Sequence, residues 1–268
     1  MKAAALLLVT SILFVPVVAL ADEAPPTLTD LQGLVAKRKS DEKPPELRNA
    51  AMKEAARSLG ARGALAFQTE KVNELLRRMA PKLDAIFNFR QIMIHAAGGT
   101  MVKPPVVTEA EEAWIVSPDG NNVGTADVVL RIQQRERLVS APPNWREYLL
   151  RGWGKPELPP DLLLPATSEE KEAWKKWVAE GWEIGLSQAE AIFLDDLARL
   201  QRDFIGMSRY TALVIQGAIE PPVVAQADRG VTGSDNVLKI GDRVVRITQH
   251  GRFNSKSENW KPALRVQP

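Results

Sequence analysis

The sequence predicts an α+β protein dominated by helix: a helical N-terminal half, a central β-hairpin, a long helix and a β-rich C-terminal segment. Two long stretches carry apolar residues at steps of three and four, the spacing of a helix face. Between them, "WIVSPDGNNVGTADVVLRIQ" places two β-rich runs around Pro118-Asp119-Gly120-Asn121, a good turn sequence. After the second stretch the chain turns to short β-branched runs, ending with "NVLKIGDRVVRITQ".

The chain opens with one lysine, Lys2, ahead of an uncharged apolar run. Ala19 and Ala21 then offer the small residues a signal peptidase reads, so residues 1–21 are expected to be a signal peptide cut before Asp22. An uncleaved anchor is the alternative, but the run is short for a bilayer span and holds Pro16. Removing 21 residues from 268 leaves 247. That suits one large domain or two modest ones, and a single domain over 46–268 is expected. No later segment approaches a membrane-spanning length without charges, so the exported chain is expected to be soluble or peripheral.

Residues 22–45 are polar, bounded by two Pro-Pro pairs, and read as a mobile arm, with a short helix around Leu28–Ala36 as an option. From Glu46 the chain reads helical. Its first half is rich in alanine and glycine, including Gly60 and Gly63, which allows another element to approach closely. In its second half Val72, Leu76, Met79, Leu83 and Ile86 form one stripe, and Pro81 is expected to kink or split the helix. The central hairpin is expected over Glu112–Gln133. Residues 141–165 hold the clusters Pro142-Pro143, Pro156 and Pro159-Pro160 with Pro165. They predict an irregular strap pinned to a surface by its aromatics.

Thr167 to Glu170 is a capping-box pattern that starts a helix. Its apolar stripe runs from Trp174 almost to Gly217, with a bend or break expected at Gly181 and Gly185. In the tail, Gly241-Asp242 has the composition of a two-residue hairpin loop, and "RGVTGSDN" reads as a turn between strands.

The 35 lysines and arginines nearly balance 33 aspartates and glutamates, and Lys2 leaves with the signal, so there is no electrostatic footprint for nucleic acid. With no cysteine there is no disulfide, no cysteine nucleophile and no acyl anchor of the bacterial lipoprotein kind. His95 and His250 stand in no metal-binding or catalytic spacing. "HAAGGTM" matches no phosphate loop. Asp196, Arg199 and Asp203, with Asp195, read as an alternating ion row opposite Phe193, Leu197, Leu200 and Phe204, forming either a solvated helix face or an interface with matching charges. No catalytic residue, metal ligand or cofactor site is expected. Of seven tryptophans, Trp174, Trp177 and Trp182 fit either core packing or partner anchoring. Trp145, Tyr148 and Trp153 in the strap are the candidates for a partner interface.

Several segments together resemble a known family. "SLGARGALAF" with "KLDAIFNF", then "PPNWREYL", "EGWEIGLSQAEAIFLDDLARLQRDFIGMSRY" and "RVVRITQHGRF" are similar, in order, to the DotC family of type IVB (Dot/Icm-like and conjugative-plasmid) secretion systems. The resemblance runs from about Leu47 to Trp260 and is most specific over 180–210. It implies a non-enzymatic subunit of an outer-membrane core complex, a multi-subunit ring assembly working with DotD-like and DotH-like partners. The missing lipobox cysteine departs from the family pattern. Periplasmic, outer-membrane-associated placement through partners is therefore the expectation. A periplasmic enzyme acting on cell-wall glycan, or a free periplasmic ligand-binding protein, are the rivals.

Overall fold

A computed structural model describes residues 24–37, 46–96, 99–116, 118–119 and 123–261. The expected cleavage residues Ala19, Ala21 and Asp22, and the charge run at 38–45, lie outside these residues. In chain order the elements are α1 (Leu28–Gln32), α2 (Glu46–Ile86), β1 (Ile94–His95), β2 (Met101–Lys103), β3 (Val106–Val116), β4 (Val123–Gln134) and β5 (Arg137–Val139). They continue with α3 (Trp145–Leu149), α4 (Ser168–Gln216), β6 (Ile219–Glu220), β7 (Val223–Ser234), β8 (Val237–Gln249) and β9 (Arg252–Phe253). The fold is α+β, as its composition of elements predicts.

The frame is a parallel pair of long helices. Arg48 on α2 meets Glu170 on α4 near their N-termini, and Phe87 meets Phe204 edge-on at 5.4 Å, far along both. At 49 residues α4 spans about 74 Å. Its start follows the capping box: the Thr167 hydroxyl accepts from the Glu170 N–H at 3.2 Å, and the Glu170 carboxylate accepts from the Thr167 N–H at 3.3 Å. Its end is Gly217, left-handed at φ 80°, whose N–H caps Leu213 and Val214 carbonyls.

Neither helix is split at the expected positions. Helix α2 continues through Pro81 to Ile86, and α4 runs unbroken through Gly181 and Gly185. These glycines mark a backbone crossing instead. A Cβ on Gly181 would stand 2.1 Å from the Arg57 carbonyl oxygen, one on Gly185 2.2 Å from that of Ala61, and one on Gly60 2.3 Å from that of Val178. Each glycine weakens its helix by roughly 1 kcal/mol against alanine. Here it lets two backbones touch, as the small-residue half of α2 suggests.

Part of the expected mobile arm is docked. Thr27 caps α1, accepting from the Asp30 N–H at 3.3 Å, and Leu31 is buried with Met52, Leu59, Trp174 and Trp182. The Trp174 indole N–H donates to the Leu31 carbonyl at 3.0 Å, and the Ala36 N–H to that of Pro165 at 2.9 Å. Apolar Leu31, too sparse to register as a periodic pattern, covers two tryptophans.

The strands form small antiparallel sheets: β1-β2-β5, β3-β4, β6-β9 and β7-β8. The central hairpin starts at Val106, earlier than expected, because Val106 and Val107 are buried against α4 beside Gly206. The tail differs more. Asp235 and Asn236 make the two-residue turn, since Ser234 pairs with Val237, and β8 runs straight through Gly241-Asp242. Gly230 and Gly241 have φ of 67° and 73° and flank register shifts. They serve a bulge, which demands the same positive φ as a tight turn.

Three core clusters follow one another along α4. The first surrounds Trp174 and Trp182; the second joins Leu76, Leu83, Phe89, Trp145, Leu200 and Met207; the third holds Val107, Tyr210 and Ile219. Trp174 and Trp182 are thus core residues. On the second-half stripe of α2, Leu76 and Leu83 are buried, whereas Met79 and Ile86 are exposed with Leu75.

Candidate functional site

The strap aromatics part company. Trp145 is only 1% exposed, so it is a core residue and not the partner contact its proline-rich setting suggested. Asn144 caps the short helix α3 by accepting from the Arg146 N–H at 3.0 Å. That turn aims the Trp145 indole N–H at Asp84 on α2, 2.7 Å away. Arg146 lies over the indole at 4.3 Å and pairs with the same carboxylate at 2.6 Å. Arg146 first, then the indole, hold the Asp84 carboxyl below the usual carboxylate range. Tyr148 is half-buried, stacked on Phe89 with ring centroids 6.0 Å apart. Trp153 is 42% exposed and borders a cleft with Glu70, Glu74 and Arg151.

The carboxylates of α4 are not a solvated row. Asp195 is exposed, but Asp196 and Asp203 are buried. Asp196 pairs with Arg151 of the strap and with Arg199, the latter at 3.0 Å. Asp203 accepts from Arg202 at 2.8 Å, from the Tyr148 hydroxyl at 3.1 Å and from the Gln134 amide at 3.3 Å. Burial first, and the Asp203 charge second, push the Tyr148 phenol above its ordinary value. The sequence did carry the signal: Ala189, Phe193, Asp196, Leu200, Asp203, Met207 and Tyr210 step by 4, 3, 4, 3, 4 and 3, so both aspartates lie on the apolar seam. Each stitches α4 to a different element, and their oxygens are taken up by donors.

Two further carboxylates are buried, Glu170 and Glu136. Glu170, which burial alone would raise, is held below its usual range by Arg48 and by the Ala166 and Thr167 N–H groups. Glu136 accepts from the Gly251 N–H at 2.8 Å, and its Oε1 stands 2.9 Å from His250 Nδ1. This ties the β4–β5 corner to the foot of β8. The other Glu136 oxygen and the Tyr210 hydroxyl are buried without partners among the described residues, and burial, then the Glu136 charge, pushes the Tyr210 phenol up to about 12. His95 is exposed on β1. Among the described residues no three His, Asp or Glu side chains gather as a metal site, and no helix is long and apolar enough to cross a membrane.

One buried charge stands apart. Lys103 on β2 is 5% exposed and makes no direct hydrogen bond or ion pair among the described residues, while the Asp203 and Glu147 carboxylates act on its ammonium as counter-charges against the effect of burial. It lines a cleft with Arg137, Pro143, Glu147, Tyr148 and Arg199. The sequence offered no sign of it, since Lys103 precedes a Pro-Pro pair in an otherwise unremarked segment.

An uncovered apolar surface lies on the far half of the β7–β8 hairpin. Val231 pairs with Ile240, and Leu238 with Gly233, so Val231, Leu238 and Ile240 share one face. Ile240 is 80% exposed, and its two neighbours nearly as much.

The frame and these charges define an α+β protein whose buried carboxylates join elements together and whose β7–β8 hairpin carries an exposed apolar face. The chain belongs to the TraI family of type IV secretory systems, described as conjugal DNA-protein transfer, which residues 46–262 match. That places it among the components of type IV secretion and conjugation. A comparison with curated protein sequences finds no match.

Proposed function

We propose that the chain is a non-enzymatic structural subunit of the outer-membrane core complex of a type IVB-type apparatus, a DotC-like protein that helps place a DotH-like subunit. It acts after export, in the periplasm. It reaches the outer membrane through DotD-like and DotH-like partners, because it has no cysteine to carry a lipid.

The observation that carries this reading is the β7–β8 hairpin. Two-stranded ribbons are marginal in water unless a further strand or another surface covers them. This one spans residues 223–249 with Val231, Leu238 and Ile240 bare on one face. An apolar face of that kind marks a contact surface. The saturated carboxylates Asp196 and Asp203 fit a framework role better than proton transfer, which needs an acid free to give or take a proton.

The test is a mild-detergent pull-down of the tagged chain from envelopes that contain the assembled apparatus, followed by mass spectrometry. Recovery of DotH-like and DotD-like subunits in a large particle is expected. Recovery as a free monomer would overturn the reading.

A further inference from the structure

The helix pair buries one face of α2 and leaves another bare. In the second half of that helix Asn73, Leu76 and Leu83 are buried, while Leu75, Met79 and Ile86 are 47%, 40% and 60% exposed. At about 100° per residue these three fall within roughly 40° of one another. They make a stripe about 16 Å long, outside the seam that Leu76 and Leu83 close. Three cations border it. Lys71, Arg78 and Lys82 occupy the adjoining arc of roughly 40°, on the side away from the seam. About 100° of helix surface over residues 71–86 thus holds three cations, three apolar side chains and no carboxylate. The acidic residues of the stretch, Glu74 and Asp84, lie beyond that arc, and Asp84 is engaged by Trp145 and Arg146.

Lys71 lies over the Phe67 ring at 4.2 Å. Arg78 and Lys82, one turn apart, make no ion pair among the described residues. Like charges at that spacing oppose the helix slightly, and an anionic surface outside it offsets their repulsion. An apolar stripe with a cationic border is the pattern of a helix that lies in a membrane interface. Its apolar side chains enter the lipid boundary, and its lysine and arginine stems reach back to the headgroups. Among the described residues no helix is long and apolar enough to cross. Shape favours a leaflet over a partner helix. The clefts bordering α2 are lined by Thr69, Glu70 and Glu74 in one case and by Asp84 in another. Leu75, Met79 and Ile86 line neither; they stand on convex surface, which a flat leaflet meets and a helix seeking a groove does not.

We propose that the second half of α2 docks on a phospholipid surface bearing anionic headgroups, with Leu75, Met79 and Ile86 in the apolar boundary and Lys71, Arg78 and Lys82 on headgroup phosphates. The contact lays the α2–α4 frame along the membrane plane. It adds to the partner-borne placement proposed above and rests on the helix face alone, not on the assembly reading.

The chain has no cysteine, so a single introduced one carries an environment-sensitive fluorophore at a known place. The full exported chain is labelled at Met79→Cys or, for comparison, at Leu238→Cys on the hairpin. It is mixed with vesicles of phosphatidylcholine alone, or of phosphatidylcholine and phosphatidylglycerol at roughly three to one. The label at 79 should shift to the blue with the mixed vesicles, at an affinity at least about tenfold above that for phosphatidylcholine alone. High salt should weaken that binding. The label at 238 should not shift, and unlabelled wild type should float with the mixed vesicles. Lys71→Gln with Arg78→Gln and Lys82→Gln should bring the affinity down to the phosphatidylcholine level, with an unchanged melting curve showing that the variant is folded. Salt tests the same charges without any substitution. No shift at 79, or equal affinity for both vesicles, overturns the proposal. A shift at 238 alone makes the hairpin the lipid contact and overturns it too. So does a label at 79 that ignores vesicles but shifts when the chain joins its envelope complex, because the face is then a protein contact. The two readings fail separately: a chain that leaves envelopes as a monomer and still binds mixed vesicles loses the assembly and keeps the lipid contact.

Discussion

At the scale of single residues, burial reassigns what sequence context suggests. Trp145 and Trp153 sit eight positions apart in the same strap, yet one is core and the other exposed. Trp145→Ala should lower stability by about 3 to 5 kcal/mol, the range for emptying a buried tryptophan site, and also strand Asp84 without its indole donor. Trp153→Ala should leave the melting curve within about 0.5 kcal/mol of wild type and weaken co-purification of partners. Melting followed by far-UV circular dichroism, alongside the pull-down, checks both; equal destabilisation would make Trp153 structural too. Lys103 gives a second, oppositely signed test. Its folded-state pKa lies below the unfolded 10.5, so between those values the unfolded chain holds more protons and wild-type stability rises with pH. Lys103→Met should therefore melt higher than wild type at pH 7, by about 1 kcal/mol. That advantage should shrink as pH approaches 10.5. A lower melting point at pH 7 would show that Lys103 supports the fold.

At the scale of elements, periodicity was legible and its interruptions were not. The capping box at Thr167 and the stripes of α2 and α4 are local signals, and the helices follow them. Gly181 and Gly185 look like breaks in one dimension, but their meaning lies in the carbonyls of Arg57 and Ala61 on another helix. Gly181→Ala should improve local helix propensity by roughly 1 kcal/mol and still destabilise the protein, by about 2 kcal/mol net. The new methyl meets backbone, which cannot rotate away as a side chain would. Chemical denaturation of the variant checks the sign; a gain in stability would mean that the helices separate without loss. Gly241 is the strand equivalent. A left-handed backbone is equally useful to a turn and to a bulge, and only the pairing of Gly230 with Asp242 decides between them.

At the scale of the whole molecule, the parallel helix pair leaves the far half of the β7–β8 ribbon uncovered by the other described residues. The double variant Leu238→Asp with Ile240→Asp should therefore keep a cooperative transition within about 0.5 kcal/mol of wild type, because both side chains are already in water. It should sharply reduce recovery of DotH-like and DotD-like subunits from envelopes; undiminished recovery would move the interface elsewhere. By itself the sequence determined the α+β class, the helix start at Thr167, the close approach through small residues and the likeness to type IV secretion components. All of these depend on residue type or on spacing within one segment. Tertiary structure alone decided that Trp145 is core, which donors stitch Asp196 and Asp203 in place, that α1 docks, and that Lys103 is enclosed beside Asp203 and Glu147. Those outcomes depend on which distant segment arrives at a given face, and burial and pairing are properties of that arrival.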